Sequence, residues 1–332
     1  MIIAVDTAGG DYAPREIVKG AAEAAEELGI EVALVGRKTI IQMLVRRYAK
    51  KQNLTIVESS QTISCNEPPV QAIRSKPDSS IVVGTKLVKD GIASAFVSAG
   101  NTGAVLTAAF LNLKRIDGVQ RPALCSIIPA VADNPVLLID AGANVDCRPN
   151  FLVQFGKLGN IFAKTFLNIS YPRVALLNNG TEEIKGNQLI RESYPLLKNS
   201  NLNFVGNVEG QEILRGRAEV IVTDGFTGNI ALKTMEGFAD TFQNVLGLGR
   251  SLRTTDNLQG AALVRYVELA SAIKQLDYKE YGGACLLGVK GNIIVAHGRS
   301  QAKAIKNAIR IAQQVVHTKV VEAISNNYCS LE

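Results

Sequence analysis

Three glycine-bracketed turns carry the side chains best suited to chemistry. They are Asp6-Thr7-Ala8-Gly9-Gly10-Asp11, Ser98-Ala99-Gly100-Asn101-Thr102-Gly103 and Asp224-Gly225-Phe226-Thr227-Gly228-Asn229. Each follows a short apolar run of β type and leads into a helical pattern. A helix entered through glycines presents unpaired N–H groups and a partial positive charge, which suits phosphate or another oxyanion.

Two further turns have the same character. One contains Asn144 and Asp146 within Asp140-Ala141-Gly142-Ala143-Asn144-Val145-Asp146. The other contains Gly180, Thr181 and Lys185 within residues 178–187. A lysine in a glycine-bounded loop reaches an anion as a mobile point charge. Asn229, at or near a helix start, is placed to donate to a developing oxyanion. Ligands of open α/β sheets bind beyond the C-terminal strand ends, so Asn101, Asn144, Asn179, Asn187 and Asn229 are expected to crowd one rim. Each turn alone reads more readily as a tight turn followed by a helix cap, and only the set together favours a site. His297 follows a strand and is a weaker site candidate; Cys147 reads as a small buried thiol sooner than as a nucleophile.

Several familiar chemistries have no residues to perform them. There is no GxxxxGK[ST] loop, no well-placed GxGxxG and no GxSxG elbow. His297 and His317 stand outside any HxxxH or CxxC frame, so neither a metal nor a cofactor is expected.

The elements that must position these turns follow from hydrophobic periodicity. Strands are expected at residues 1–5, 31–35, 55–57, 94–98, 173–177, 204–205 and 220–222. Helices are expected at 14–28, 39–48, 79–90, 101–113, 150–166, 187–197, from 228, and from about 300 to 324. Residues 61–78, with Pro68, Pro69 and Pro77, read as a loop with at most one short helix. Runs at 123–128 and 136–139, and again at 284–289 and 293–296, read as hairpins. Alternating strands and helices with two hairpins predict an α/β chain around a mixed sheet. Residues 237–276 differ: two helical stretches meet at a joint rich in leucine and glycine that also holds Arg250 and Arg253.

The 332 residues, 47% apolar, suffice for one large two-lobed domain. A net charge of +6 favours acidic partners. The basic residues are scattered, however, and aromatics make up only 5% without tryptophan, which argues against nucleic acid. Five cysteines without CxxC pairing read as reduced thiols of a cytoplasmic protein. No leader is expected before the first strand, and no apolar run approaches the roughly 20 residues of a membrane span.

Taken in order, these segments resemble the bacterial phosphate acyltransferases of phospholipid synthesis. The resemblance runs through Asp6–Asp11, Ser98–Gly103, Asp140–Asp146, Gly180–Asn187, Gly206–Glu209, Asp224–Asn229, Tyr281–Ala284 and Ala296–Gly298. It departs mildly at Thr7-Ala8 and Asn179, and more strongly around 246–258. It implies a three-layer α/β/α fold like the isocitrate and isopropylmalate dehydrogenases, with 237–276 a protruding lobe for dimerisation and peripheral membrane contact. It also implies a homodimer that meets acyl carrier protein and feeds a membrane glycerol-3-phosphate acyltransferase. The implied reaction is attack of inorganic phosphate on a fatty-acyl thioester.

Such a reaction asks the protein to hold two anionic reactants and stabilise a tetrahedral oxyanion. On this reading Gly100–Gly103 and Gly225–Gly228, with Asn101, Thr102 and Thr227, bind phosphate. Lys185 and Asn229 polarise the carbonyl, and Asp224 and Asp146 orient them. Asp6, Gly9, Gly10, Ser98, Asn144, Gly180, Thr181 and His297 complete the substrate site. The rivals are a metal- and nicotinamide-dependent dehydrogenase of the same fold, a short-chain acyl–coenzyme A transacylase, and a non-catalytic membrane scaffold that docks carrier protein.

Overall fold

The computed structural model describes residues 1–48, 53–130, 134–245 and 282–328. The first half alternates β1 (Ile2–Asp6), α1 (Arg15–Leu28), β2 (Glu31–Gly36), α2 (Lys38–Tyr48) and β3 (Leu54–Glu58). Helices α3 (Pro69–Ser75) and α4 (Ser80–Lys89), strand β4 (Ala95–Ser98) and α5 (Thr102–Leu113) follow. Then come β5 (Ala123–Ile128), β6 (Val136–Ile139), α6 (Pro149–Phe166), β7 (Val174–Asn178), α7 (Gln188–Lys198) and β8 (Phe204–Glu209). A 3-10 turn (Gly210–Arg215) precedes β9 (Val220–Val222) and α8 (Gly225–Val245). The last elements are β10 (Gly283–Leu287), β11 (Asn292–Ala296), α9 (Ala302–His317) and α10 (Val320–Asn327).

The strands form one eleven-stranded sheet in the order β3-β2-β1-β4-β11-β10-β5-β6-β9-β7-β8. Its central strands are apolar throughout because helices cover both faces. Ile3 and Val5 point into the core beneath α1 and α9, while Ala4 between them points into a second core beneath α4 and α5. Glycine sets how closely these layers approach. A Cβ at Gly20 in α1 would stand 2.4 Å from the Ala302 carbonyl at the start of α9.

Strand direction decides where the functional turns go. β11 pairs antiparallel with β10, β10 with β5, and β5 with β6. Three reversals in succession turn the second half of the sheet upside down relative to the first. The C-terminal ends of β1, β4 and β11 therefore lie on one rim, and those of β6, β9 and β7 on the opposite rim. This corrects the expectation of a single rim crowded with asparagines: local patterns reveal the strands, but a count of antiparallel pairings across the sheet sets their direction.

The α/β class, the mixed sheet and both hairpins agree with the sequence reading. Three differences are local. α8 starts at Gly225 and runs unbroken to Val245, so residues 237–245 extend it instead of opening a separate helix. β8 extends to Glu209. The C-terminal helix breaks between α9 and α10 at Lys319, whose φ of 53° is left-handed. Most of the protruding pair expected at 237–276 lies outside the described residues.

Candidate active site

The first rim gathers three turns. Gly10 adopts φ +104° and packs on Ala99 and on the Gly298 carbonyl, which also accepts the Asp11 N–H at 2.8 Å. Asp6 anchors the group: its buried carboxyl accepts from Ser98 Oγ at 2.7 Å and from the Ala8 N–H at 3.0 Å. Burial pushes its pKa up, while hydrogen bonds from Ser80, Ser98, Ala8 and Gly9 oppose the rise. A Cβ at Gly9 would meet Asp6 Oδ2 at 2.4 Å and the Gly100 nitrogen at 2.6 Å. Asp6, Gly9, Gly10 and Ser98 thus brace the rim from behind.

What they brace is the start of α5. Asn101 caps the helix by accepting the Ala104 N–H at 3.1 Å, and its amide donates to the carbonyls of Ser64, Cys65 and Glu67. Its side chain therefore pins the 64–67 loop and has no donor left for phosphate, which revises its expected role. Thr102 and Gly103 are the first two helical residues, so their N–H groups have no intrahelical acceptor. Both residues line a cavity of about 850 Å³.

The second rim is built alike and ends differently. Buried Asp140 accepts the N–H groups of Leu124, Gly142 and Ala143 on one oxygen, and the backbone and side-chain N–H of Asn144 on the other. Burial raises its pKa against those bonds. The N-terminus of α8 presses onto this turn, where a Cβ at Gly228 would sit 2.0 Å from the Asp140 carbonyl. The Gly225 N–H donates to Asn144 O, the Thr227 N–H to Asp224 Oδ1 and the Gly228 N–H to Asp224 O; the Thr227 hydroxyl donates to Asp224 Oδ2. The expectation that Gly225–Gly228 and Thr227 bind phosphate is revised, because the N–H groups of Gly225, Thr227 and Gly228 and the Thr227 hydroxyl are already spent. Asn144 is likewise committed to Asp140 and the Pro122 carbonyl. Asp224 caps the helix that carries Asn229. Asn229 lines the cavity, and no described group hydrogen-bonds its amide.

The cavity runs over the sheet face from the Gly142 turn to α5 and the His297 turn. Leu124, Ser126 and Ile128 of β5 line it, with Leu232 and Met235 of α8. His297 stands at its edge. The Arg299 N–H donates to His297 Nδ1 at 3.1 Å, which leaves the proton of the neutral ring on Nε2. Burial, then Arg299 and Lys233, pushes the His297 pKa down.

Other expected residues stay away from the cavity lining. Lys185 Nζ pairs with Glu182 Oε1 at 2.8 Å, both side chains about half exposed, and that hydrogen bond raises the lysine pKa. Gly180 makes room for it, since a Cβ there would meet Lys185 Cδ at 2.4 Å. Thr181 and Asp146 are exposed. Burial pushes the Cys147 thiol up to about 12, and it donates to Asn144 O. Among the described residues no three acidic, cysteine or histidine side chains cluster to hold a metal.

Two residues escaped the sequence reading. Asp140 organises the second rim; its signal was an acid closing the apolar run Val136–Ile139. Glu236 lies buried in the cavity wall two helical turns after Asn229. Its signal was the spacing Asn229-Lys233-Glu236, which repeats polar residues at i, i+4 and i+7 on one helix face.

Comparison with known proteins follows the same outline. A phosphotransacetylase from Streptococcus pyogenes superposes with a TM-score of 0.62 at 18% identity, covering 97% of this chain and 94% of that one. A 4-hydroxythreonine-4-phosphate dehydrogenase from Klebsiella pneumoniae gives 0.54 at 13% identity, covering 95% and 98%. These likenesses concern the fold. In sequence, a phosphate acyltransferase of Dehalococcoides mccartyi is 55% identical over 327 residues, or 98% of this chain and 94% of the relative. One of Thermoanaerobacterium thermosaccharolyticum is 48% identical over 326 residues, or 98% and 96%. The family model described as fatty acid synthesis protein matches residues 1–323, and the chain belongs to that family.

Proposed function

We propose that this chain transfers a fatty acyl group from the thioester of acyl carrier protein to inorganic phosphate, giving acyl phosphate and the free carrier thiol. The carrying observation is the apolar cavity of about 850 Å³ that ends at the uncapped Thr102 and Gly103 amides. Its walls suit an acyl chain, and the α5 N-terminus suits phosphate. Phosphate is partly dianionic near neutral pH, and a thiol with a pKa of about 8.5 leaves readily. Positioning and oxyanion stabilisation are therefore the main tasks.

In this reading Asn229 donates to the thioester oxygen. Lys185, on the same rim as the start of α8, exchanges Glu182 for the charge of the substrate. Asp6, Gly9, Gly10, Ser98 and Gly100 hold the phosphate end rigid, and Asp140, Asn144 and Asp224 hold the carbonyl end. The net charge of +6 complements an acidic carrier protein. Phe226, Ile230 and Phe238, exposed along α8, support a homodimer built on this helix. The product is an activated acyl anhydride suited to acylating glycerol 3-phosphate in phospholipid synthesis, with a membrane acyltransferase as the consuming partner. No helix among the described residues is long and apolar enough to cross a membrane; peripheral contact through residues 237–276 belongs to the same proposal.

Mass spectrometry of the protein with palmitoyl–carrier protein and phosphate tests the reaction. Acyl phosphate and free carrier are expected, and only when phosphate is present. Product from coenzyme A thioesters alone would replace the carrier as donor, and no product from any thioester would overturn the enzyme reading.

A further inference from the structure

Glu236 stands apart from every other acid near the cavity. Its side chain is 7% exposed, and Oε2 is fully buried without a hydrogen-bond partner among the described residues. It lies in the wall of the cavity that also holds Asn229 and the α5 N-terminus. Seven residues separate Glu236 from Asn229 on α8, about 10 Å along one helix face. Across from it, His297 Nε2 lies 3.4 Å from Glu236 Oε2, close enough to feel its charge but not aligned as a hydrogen bond. The His297 ring cannot take a proton at Nδ1 without losing the Arg299 N–H. The carboxyl is then the better proton carrier of the two.

We propose that Glu236 is the proton-transfer group of the acyl transfer, taking the hydrogen from phosphate and returning it to the departing sulfur. This rests on the reaction proposed above. Hydrogen phosphate attacks the thioester carbon, a C–O bond forms, and the phosphate hydrogen passes to the Glu236 carboxylate. The tetrahedral centre then collapses, the C–S bond breaks, and the carboxylic acid protonates sulfur. Glu236 ends each turnover ionised, as it began. His297 Nε2, on the turn after β11, faces the carboxylate from 3.4 Å.

The surroundings suit a group that visits both forms. Burial raises the Glu236 pKa to about 7, against Lys233 on its own helix and Arg299 opposite, while Asp240 pushes it further up. On the His297 side, Asp11 and Asp240 oppose Arg299 and Lys233. A carboxyl poised near neutrality is equally able to accept and donate.

The test compares single-turnover rates of wild type and Glu236→Gln with two donors, palmitoyl–carrier protein and a palmitoyl thiophenyl ester. The aryl thiolate leaves without a proton. Glu236→Gln is expected to slow the carrier donor by about 10²- to 10⁴-fold. The aryl donor, which loses only the phosphate-side transfer, is expected to slow by at least about tenfold less than the carrier donor, with the phosphate KM held within about twofold. Equal losses with both donors, or wild-type rates with both, overturn the assignment. Should the Gln variant fail to fold, the wild type still decides the matter. Its single-turnover rate is expected to fall further in deuterium oxide with the carrier donor, where both transfers occur, than with the aryl donor, and equal rates in both solvents overturn the proposal. Wild type that makes no acyl phosphate from either donor refutes the reaction itself instead.

Discussion

The two rims of the sheet are built from the same parts and finish in opposite states. Each has a buried aspartate at a strand end, Asp6 or Asp140, and each has a glycine turn followed by a helix N-terminus. On the second rim the carboxylate of Asp140 collects its neighbours' N–H groups, and Asp224 with Asn144 takes those of Gly225, Thr227 and Gly228 in α8. On the first rim the Asn101 cap serves Ala104 and leaves Thr102 and Gly103 open to the cavity. On the proposed reading the second rim is a mount for Asn229, and the first is the phosphate receptor. Glycine spacing predicts both turns equally; only the destination of each N–H separates them.

That contrast can be broken by experiment, beginning where the largest change is expected. Asp140→Ala strips the second rim of its acceptor and leaves buried N–H groups unpaired. It is expected to cost about 4 kcal/mol or more, or to prevent folding, as read by urea denaturation. A loss below about 1 kcal/mol would mean that the second rim is no such mount.

The receptor side tolerates unsatisfied groups, and Glu236 shows it in the pH dependence of stability. Its folded pKa of about 7 lies above the ordinary 4.5, so the folded state holds the proton more tightly. The associated stability is fully present below pH 4.5 and is lost as pH rises through about 7. The loss amounts to about 3 kcal/mol at most. Glu236→Gln is expected to flatten this decline, leaving the variant relatively more stable than wild type at pH 8. Parallel curves for the two proteins between pH 5 and 8 would remove the buried acid from the account.

Lys185→Ala tests a residue that the sequence favours and the cavity lining omits. Turnover is expected to fall about a hundredfold, as for loss of an oxyanion donor. Stability should change by less than about 1 kcal/mol, because the Glu182 pair is exposed. Unchanged turnover would confine the carbonyl end to Asn229. Thr102→Pro deletes one receptor amide at the first helical position, where proline is tolerated. It should raise the phosphate KM by about tenfold while stability stays within about 1 kcal/mol. Thr227→Val, its counterpart on the mount, should cost about 1 kcal/mol of stability and leave the phosphate KM unchanged. A reversed pattern in this last pair would exchange the roles of the two rims.

Much of this was legible in the chain itself. Apolar runs of strand length, helix-period stripes such as Ile17, Val18, Ala21 and Ala25, and the two hairpins fix the α/β class, because local periodicity reports which face meets a core. The ordered turns from Asp6 to Gly298 mark the phosphate acyltransferase resemblance, because glycines are required wherever backbone approaches backbone, as at Gly9 and Gly228. What the sequence could not assign was the use of each polar group. Asn101 and Asn229 look alike as helix-start asparagines, yet one is spent on four hydrogen bonds and the other faces the cavity. Strand direction, the division into two rims and the burial of Glu236 opposite His297 depend on residues far apart in the chain. Only the tertiary structure decides them, because hydrogen-bond satisfaction and desolvation are properties of the assembled neighbourhood and not of local spacing.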